Sequence, residues 1–321
     1  MADKSGTYEV SLTVSDGALS NTATLNITTT DSGPVANAGP AQTVYVGNTV
    51  TLDGSGSYDV DGNLLTFSWA FTTVPTGSGA ALSVTTSVNP TFTVDKPGTY
   101  IVSLTVNDGT ADSAASTVTI STLNSAPVAN AGPDQSPYVG NTVTLDGSGS
   151  HDVDGDLLAY SWSFASKPIG SAATLSDASA VKPTFTVDRA GEYVVSLTVN
   201  DGTTDGAADT VTINTTNSAP VAEAGADQSP YVGNTVTLDG SLSHDVDGNQ
   251  LTYRWAFTTM PAGSGATLSN ITAVKPTFAV DKSGTYVVSL IVNDGELDST
   301  TADTVTISTL NSAPVANAGA D

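Results

Sequence analysis

Gly191-Glu192-Tyr193-Val194-Val195-Ser196-Leu197-Thr198-Val199-Asn200-Asp201-Gly202 decides the fold. Tyr193, Val195, Leu197 and Val199 take every second position, alternating with Val194, Ser196 and Thr198. A period of two places one set of side chains on one face, which is a strand with one buried side. Asn200-Asp201-Gly202 ends it as a turn. Gly191-Glu192-Tyr193 has the form of a tyrosine corner, in which the phenol bonds back to nearby backbone. Gly98-Thr99-Tyr100, Gly284-Thr285-Tyr286 and Gly6-Thr7-Tyr8 repeat it.

Working outward, Thr142-Val143-Thr144-Leu145-Asp146 is a short alternating strand, broken by Gly147-Ser148-Gly149-Ser150. Leu158, Tyr160, Trp162 and Phe164 alternate in the next strand, with Trp162 as its core plug. Lys167-Pro168-Ile169-Gly170 turns the chain, Pro183-Thr184-Phe185-Thr186-Val187 forms another strand, and Val211 and Ile213 mark the last. About seven short strands in about ninety residues, with no helical period, predict an all-β, antiparallel two-sheet sandwich.

The pattern repeats. Trp69, Trp162 and Trp255 are spaced by 93 residues (162 − 69 and 255 − 162), and Pro34, Pro127 and Pro220 keep the same step. The third copy runs one residue longer, near Thr300-Thr301. Whole units are expected at 33–125, 126–218 and 219–312. Residues 1–32 match the C-terminal part of a unit, and 313–321 match the first strand of a further one, so the reading expects a piece of a longer array.

Composition narrows the function. The net charge is -24, from 32 acidic and 8 basic residues. That disfavours nucleic acid and anionic membrane surfaces, both of which call for clustered Lys and Arg. There is no cysteine to staple the fold. No apolar run reaches the roughly eighteen residues a membrane helix needs. Met1-Ala2-Asp3-Lys4-Ser5 opens no apolar signal region.

Asp152-Val153-Asp154-Gly155 recurs as Asp59-Val60-Asp61-Gly62 and Asp245-Val246-Asp247-Gly248. Two carboxylates in a loop, beside a glycine that lets the backbone bend, suit a hard oxygen-seeking cation, calcium above all. The alternative is that Asp and Gly merely shape turns. Zinc is disfavoured, with no Cys and only His151 and His244. An EF-hand is ruled out because Ser163 stands at the twelfth position from Asp152. No nucleophile, base and orienting acid recur together. Nor does Gly147-Ser148-Gly149 carry the Lys of a phosphate loop.

Taken together, Ala126-Pro127-Val128-Ala129-Asn130-Ala131-Gly132-Pro133, Leu145-Asp146-Gly147-Ser148, Ser150-His151-Asp152-Val153-Asp154-Gly155, Tyr160-Ser161-Trp162 and the strand from Gly191 to Gly202 resemble the PKD domain, the immunoglobulin-like module named after polycystic kidney disease. The resemblance covers all three units and both fragments. One departure is Trp162-Ser163-Phe164-Ala165, where many members carry Trp-Asp-Phe-Gly-Asp-Gly.

The resemblance implies tandem immunoglobulin-like sandwiches. Members in secreted bacterial collagenases bind calcium where the chain leads into the domain, through an Asn-Ser dipeptide, an Asp-x-Asp pair and an Asp before the final strand. The matching residues are Asn124, Ser125, Asp152, Asp154 and Asp201, and in the third unit Asn217, Ser218, Asp245, Asp247 and Asp294. In the first they are Asp31, Ser32, Asp59, Asp61 and Asp108, with Asp in place of Asn.

The expected function is a non-catalytic, calcium-stiffened stalk, adhesin or surface-filament segment, extracellular, secreted or at the cell surface. Its partners would be other domains of the array, neighbouring chains, or surface polysaccharide or protein. The second expectation is a polysaccharide- or protein-binding accessory module of a secreted hydrolase, with Tyr138 and Tyr231 as exposed aromatics.

Overall fold

A computed structural model describes residues 4–314 and 316. The further strand expected at 313–321 lies almost wholly outside them. The described residues form eighteen strands and no helix. They fall into two compact units. One comprises the chain up to Val128 with 151–159 and 200–206; the other comprises 129–150, 160–199 and the chain from Ala207.

The first unit opens with β1 (Gly6–Ser15) and β2 (Ser20–Thr29), a hairpin paired from Gly6↔Thr29 to Ser15↔Ser20. Then come β3 (Gln42–Val44), β4 (Thr49–Thr51), β5 (Thr66–Thr73), β6 (Thr91–Thr93), β7 (Thr99–Asn107) and β8 (Ser116–Thr122). One sheet has the order β3-β8-β7-β5 and the other pairs β4 with β6. Their inner faces share a core of Val50, Leu52, Trp69, Phe92, Val94, Tyr100, Val102, Leu104, Val106, Val118 and Ile120, which makes a sandwich. Phe71 meets Phe92 edge-on at 5.0 Å between ring centroids, a favoured aromatic geometry. The hairpin carries matching apolar residues, but Val10, Leu12, Val14, Leu25 and Ile27 are exposed.

The second unit carries β9 (Thr142–Thr144), β10 (Ala159–Ser166), β11 (Thr184–Thr186), β12 (Glu192–Asn200) and β13 (Asp209–Asn214). It continues with β14 (Thr235–Thr237), β15 (Thr252–Thr259), β16 (Thr277–Ala279), β17 (Thr285–Asn293) and β18 (Asp303–Ser308). Sheet β10-β12-β13 goes with β9-β11, and sheet β15-β17-β18 with β14-β16. Tyr193, Val195, Leu197 and Val199 are all fully buried, as their alternation requires. Trp162 is 3% exposed and donates its indole N–H to the Ala180 carbonyl at 3.0 Å. Trp69 and Trp255 do the same toward Ser87 and Ala273. Gly147 lies against this ring; a Cβ there would stand 3.1 Å from Trp162 Cζ2 and 3.1 Å from Tyr160 Cε1.

The tyrosine corner forms in each repeat. Tyr193 Oη sits 2.9 Å from the Arg189 carbonyl and 2.8 Å from Asp188 Oδ1, and accepts the Arg189 N–H at 3.0 Å. Ser171 donates its hydroxyl to the same Asp188 oxygen at 2.6 Å. Chiefly through that serine, Asp188 is held down at about 2. Asp95 and Asp281 are held at about 2 in the same way, by Ser78 and Ser264.

Fewer formal strands form than the seven expected. The first repeat has six, and the second and third have five each. The difference between the repeats traces to one position. Val44 ends the parallel pairing of β3 with β8, whereas Pro137 and Pro230 stand there in the other repeats. Proline has no N–H to give a ladder. The contact shrinks to single bridges, Gln135↔Ile213 and Gln228↔Ile307.

Candidate metal centre

The pairing of the sandwich strands builds the candidate centre. Thr66 at the start of β5 faces Asn107 at the end of β7, and Thr252 faces Asn293 in the same way. The loop before the first strand of each pair therefore meets the turn after the second. Asp59 and Asp61 lie in one such loop and Asp108 in its turn. Single antiparallel bridges, Val35↔Tyr58, Val128↔His151 and Val221↔His244, lay the lead-in linker alongside that loop. Linker, loop and turn meet in each repeat.

In the second repeat, Asp152 Oδ1 accepts the N–H groups of Asp154 at 2.7 Å and Gly155 at 3.1 Å. Gly155 adopts φ +85°, which glycine alone takes without strain. Asp154 Oδ2 accepts the Ser125 N–H at 2.6 Å, tying linker to loop. Asn124 Nδ2 donates to Asp201 Oδ2 at 2.8 Å, tying linker to turn. Asp201 Oδ1 accepts the N–H groups of Thr203 and Thr204 at 2.7 Å each. These donors, the Asn124 amide first, hold the Asp201 carboxyl well below the usual carboxylate range.

The third repeat matches. Ser218 N–H donates to Asp247 Oδ2 at 2.5 Å, and Asn217 Nδ2 to Asp294 Oδ2 at 2.9 Å. In the first repeat Ser32 N–H donates to Asp61 Oδ2 at 2.7 Å. Asp31 has no side-chain N–H to offer Asp108; it accepts from Asn63 Nδ2 at 3.1 Å and from the Thr110 hydroxyl. Asp108 and Asp294 are held low by backbone N–H groups, chiefly those of Ala111 and Leu297.

These bonds leave a residue of unpaired oxygen. Asp59 Oδ2, Asp108 Oδ2, Asp152 Oδ2, Asp154 Oδ1, Asp245 Oδ2 and Asp247 Oδ1 are buried and have no hydrogen-bond partner. They are the full set of such buried side-chain atoms among the described residues, and every one belongs to an expected ligand. Unpaired buried carboxylate oxygen is costly, and a hard cation is the group that satisfies it. The donor set therefore fits calcium.

Three contributing residues escaped the sequence reading. Asp156 brings a ligand oxygen within 4.8 Å of those of Asp152 and Asp154. Its signal was the spacing Asp152-x-Asp154-x-Asp156, with Asn63 and Asn249 at the same place in the other repeats. Thr203 donates its hydroxyl to Asp201 Oδ1 at 2.8 Å, and Thr110 shares its one hydroxyl proton between Asp108 Oδ1, at 2.8 Å, and Asp31.

A separate cleft of about 620 Å³ marks the third repeat, lined by Tyr253, Arg254, Ile271, Ile291 and Asp298 among others. Arg254 replaces Ser68 and Ser161, Ile271 replaces Thr85 and Ala178, and Ile291 replaces Thr105 and Thr198. Tyr45, Tyr138 and Tyr231 are each about half exposed elsewhere.

The PKD domain profile matches residues 31–122, 124–216 and 217–309. The rat dyslexia-associated protein KIAA0319 homolog is 32% identical over 314 residues, covering 92% of this chain and 28% of that protein. The mouse KIAA0319-like protein is 32% identical over 312 residues, covering 92% and 29%. The Vibrio cholerae pre-pro-metalloprotease PrtV is 33% identical over 131 residues, covering 40% and 13%. The chain thus spans under a third of the length of these curated relatives.

Among solved structures, titin domains I67–I69 match at 9% identity and a TM-score of 0.34, covering 87% of this chain and 99% of that one. Drosophila N-cadherin EC1–4 matches at 13% and 0.36, covering 96% and 84%. Neither score supports a functional comparison. The profile matches cover most of the chain, in three consecutive copies, and the chain belongs to the PKD domain family.

Proposed function

We propose that this chain is a non-catalytic structural array working outside the cell, a stalk- or adhesin-like segment whose domains are stiffened by calcium. Asp152, Asp154 and Asp201 would hold one ion with Ser125 and Asn124. Asp245, Asp247 and Asp294 would hold another with Ser218 and Asn217. Asp59, Asp61 and Asp108 would hold the third with Asp31 and Ser32. Asn124 and Asn217 now offer an N–H to the turn aspartate; ligation would turn the amide so that its oxygen faces the ion.

The observation that carries this reading is the set of buried, unpartnered carboxylate oxygens at the expected ligands. The ion would bind linker, loop and turn at once, which removes hinge freedom where the chain leads into a domain. The charge of -24 accords with a cation-binding role. Small-angle scattering tests it. Chelator should shorten the maximum dimension of the chain, and calcium should restore it; identical profiles in both conditions would end the mechanical reading.

The cleft of the third repeat favours a second reading, a module that grips polysaccharide or protein. Its Tyr253 and isoleucine walls with Arg254 at one side give the mixed lining that ligand sites use. Retention on insoluble polysaccharide, lost in Arg254→Ala, is its expected mark. Unretained protein removes the polysaccharide form of this reading.

A further inference from the structure

We propose that the three centres form a graded series, in which the one built on Asp31 takes calcium first. This rests on the calcium reading. The lead-in residue sets the grade. Asn124 and Asn217 each place an amide N–H on the turn aspartate, at 2.8 and 2.9 Å. An arriving ion must share Asp201 Oδ2 or Asp294 Oδ2 with that donor or displace it.

In the first repeat no donor occupies Asp108 Oδ2, and the competing side-chain donors, Asn63 and Thr110, sit on Asp31 instead. Asp31 is itself an acceptor, engaged by Asn63 and Thr110. Asp108 is 9% exposed, and its Oδ2 has no hydrogen-bond partner. Asp59 Oδ2 is open in the same way. One loop oxygen and one turn oxygen are thus free of hydrogen bonds in the first repeat, whereas both such oxygens of each other repeat lie on the loop.

Charge acts in the same direction against the third centre, whereas Asp156 gives the second a fourth carboxylate as well. Asp31, Asp59, Asp61 and Asp108 put four carboxylates around the first centre, where the lead-in residue of the others is a neutral amide. More anionic ligands raise calcium affinity. The other centres have one acidic neighbour each. Asp156 stands by the second, and Glu296, whose N–H caps Asp294 Oδ1, stands by the third. Both are exposed, so solvent screens them. Asp31 is exposed too, and what sets the first centre apart is the open oxygen of Asp108.

The test is amide NMR of the ¹⁵N-labelled chain in chelator-buffered calcium. Ser32, Ser125 and Ser218 report on one centre each, since their N–H groups bond Asp61, Asp154 and Asp247. Ser32 should reach half-shift at about tenfold lower calcium than Ser218, a span well within what ligand charge produces. Asp31→Asn, which installs the residue the other repeats already carry, should move Ser32 into the range of its counterparts and leave them in place. Coincident half-shifts, a later Ser32, or an Asp31→Asn chain with Ser32 still first would overturn the grading while leaving calcium binding intact. Three reporters blind to calcium would remove the calcium reading itself, and the grading with it.

Discussion

Trp162→Ala should destabilise the second repeat by about 3–5 kcal/mol, the usual cost of emptying a buried tryptophan site. The ring is 3% exposed, and its N–H has a carbonyl partner at 3.0 Å. Gly147 has no side chain because the ring occupies that space. Alanine leaves a cavity beside a glycine and orphans the Ala180 carbonyl. At about 4–8 °C per kcal/mol for a domain of this size, calorimetry should show a separate early transition, more than about 10 °C below that of the wild type. A loss under about 1 kcal/mol would mean that the tryptophan is not the keystone of the sandwich.

Asp152→Asn combined with Asp154→Asn should change sign with the medium. In chelator the pair should leave stability unchanged or raise it, because each asparagine keeps the oxygen that accepts the loop N–H groups and removes a buried unpaired charge. In calcium at about a hundred times the dissociation constant, it should lower stability by about 2.7 kcal/mol, the linkage free energy of one lost ion. Thermal melts of both chains in both media give the four numbers. Equal effects in the two media would mean that the aspartates only shape the turn.

The strand pattern was open to reading because alternation is local. Tyr193, Val195, Leu197 and Val199 announce one buried face within seven residues, and the 93-residue step of Trp69, Trp162 and Trp255 multiplies it. The tyrosine corner was legible for the same reason, since the phenol of Tyr193 reaches back to Arg189 and Asp188 a few residues upstream.

What escaped depends on distance along the chain. Pro137 cuts a ladder whose partner lies over seventy residues away, at Ile213. The cleft of the third repeat is assembled from Arg254, Ile271 and Ile291, which lie on separate segments with no common period. At the candidate centre, the Asp152–Asp154 pair was readable from the loop alone, whereas Asn124, Ser125 and Asp201 entered only through the family resemblance. The bonds from Asn124 to Asp201 and from Ser125 to Asp154 bring those segments together. Their role as ligands is the proposal.

Stiffening of the chain depends most on calcium occupying these centres. Isothermal titration of the intact chain measures it directly, at calcium up to the roughly millimolar range of extracellular modules. Three ions per chain, falling to two in the Asp152→Asn, Asp154→Asn variant, is the predicted result. No saturable binding, or a stoichiometry that the variant leaves unchanged, contradicts it.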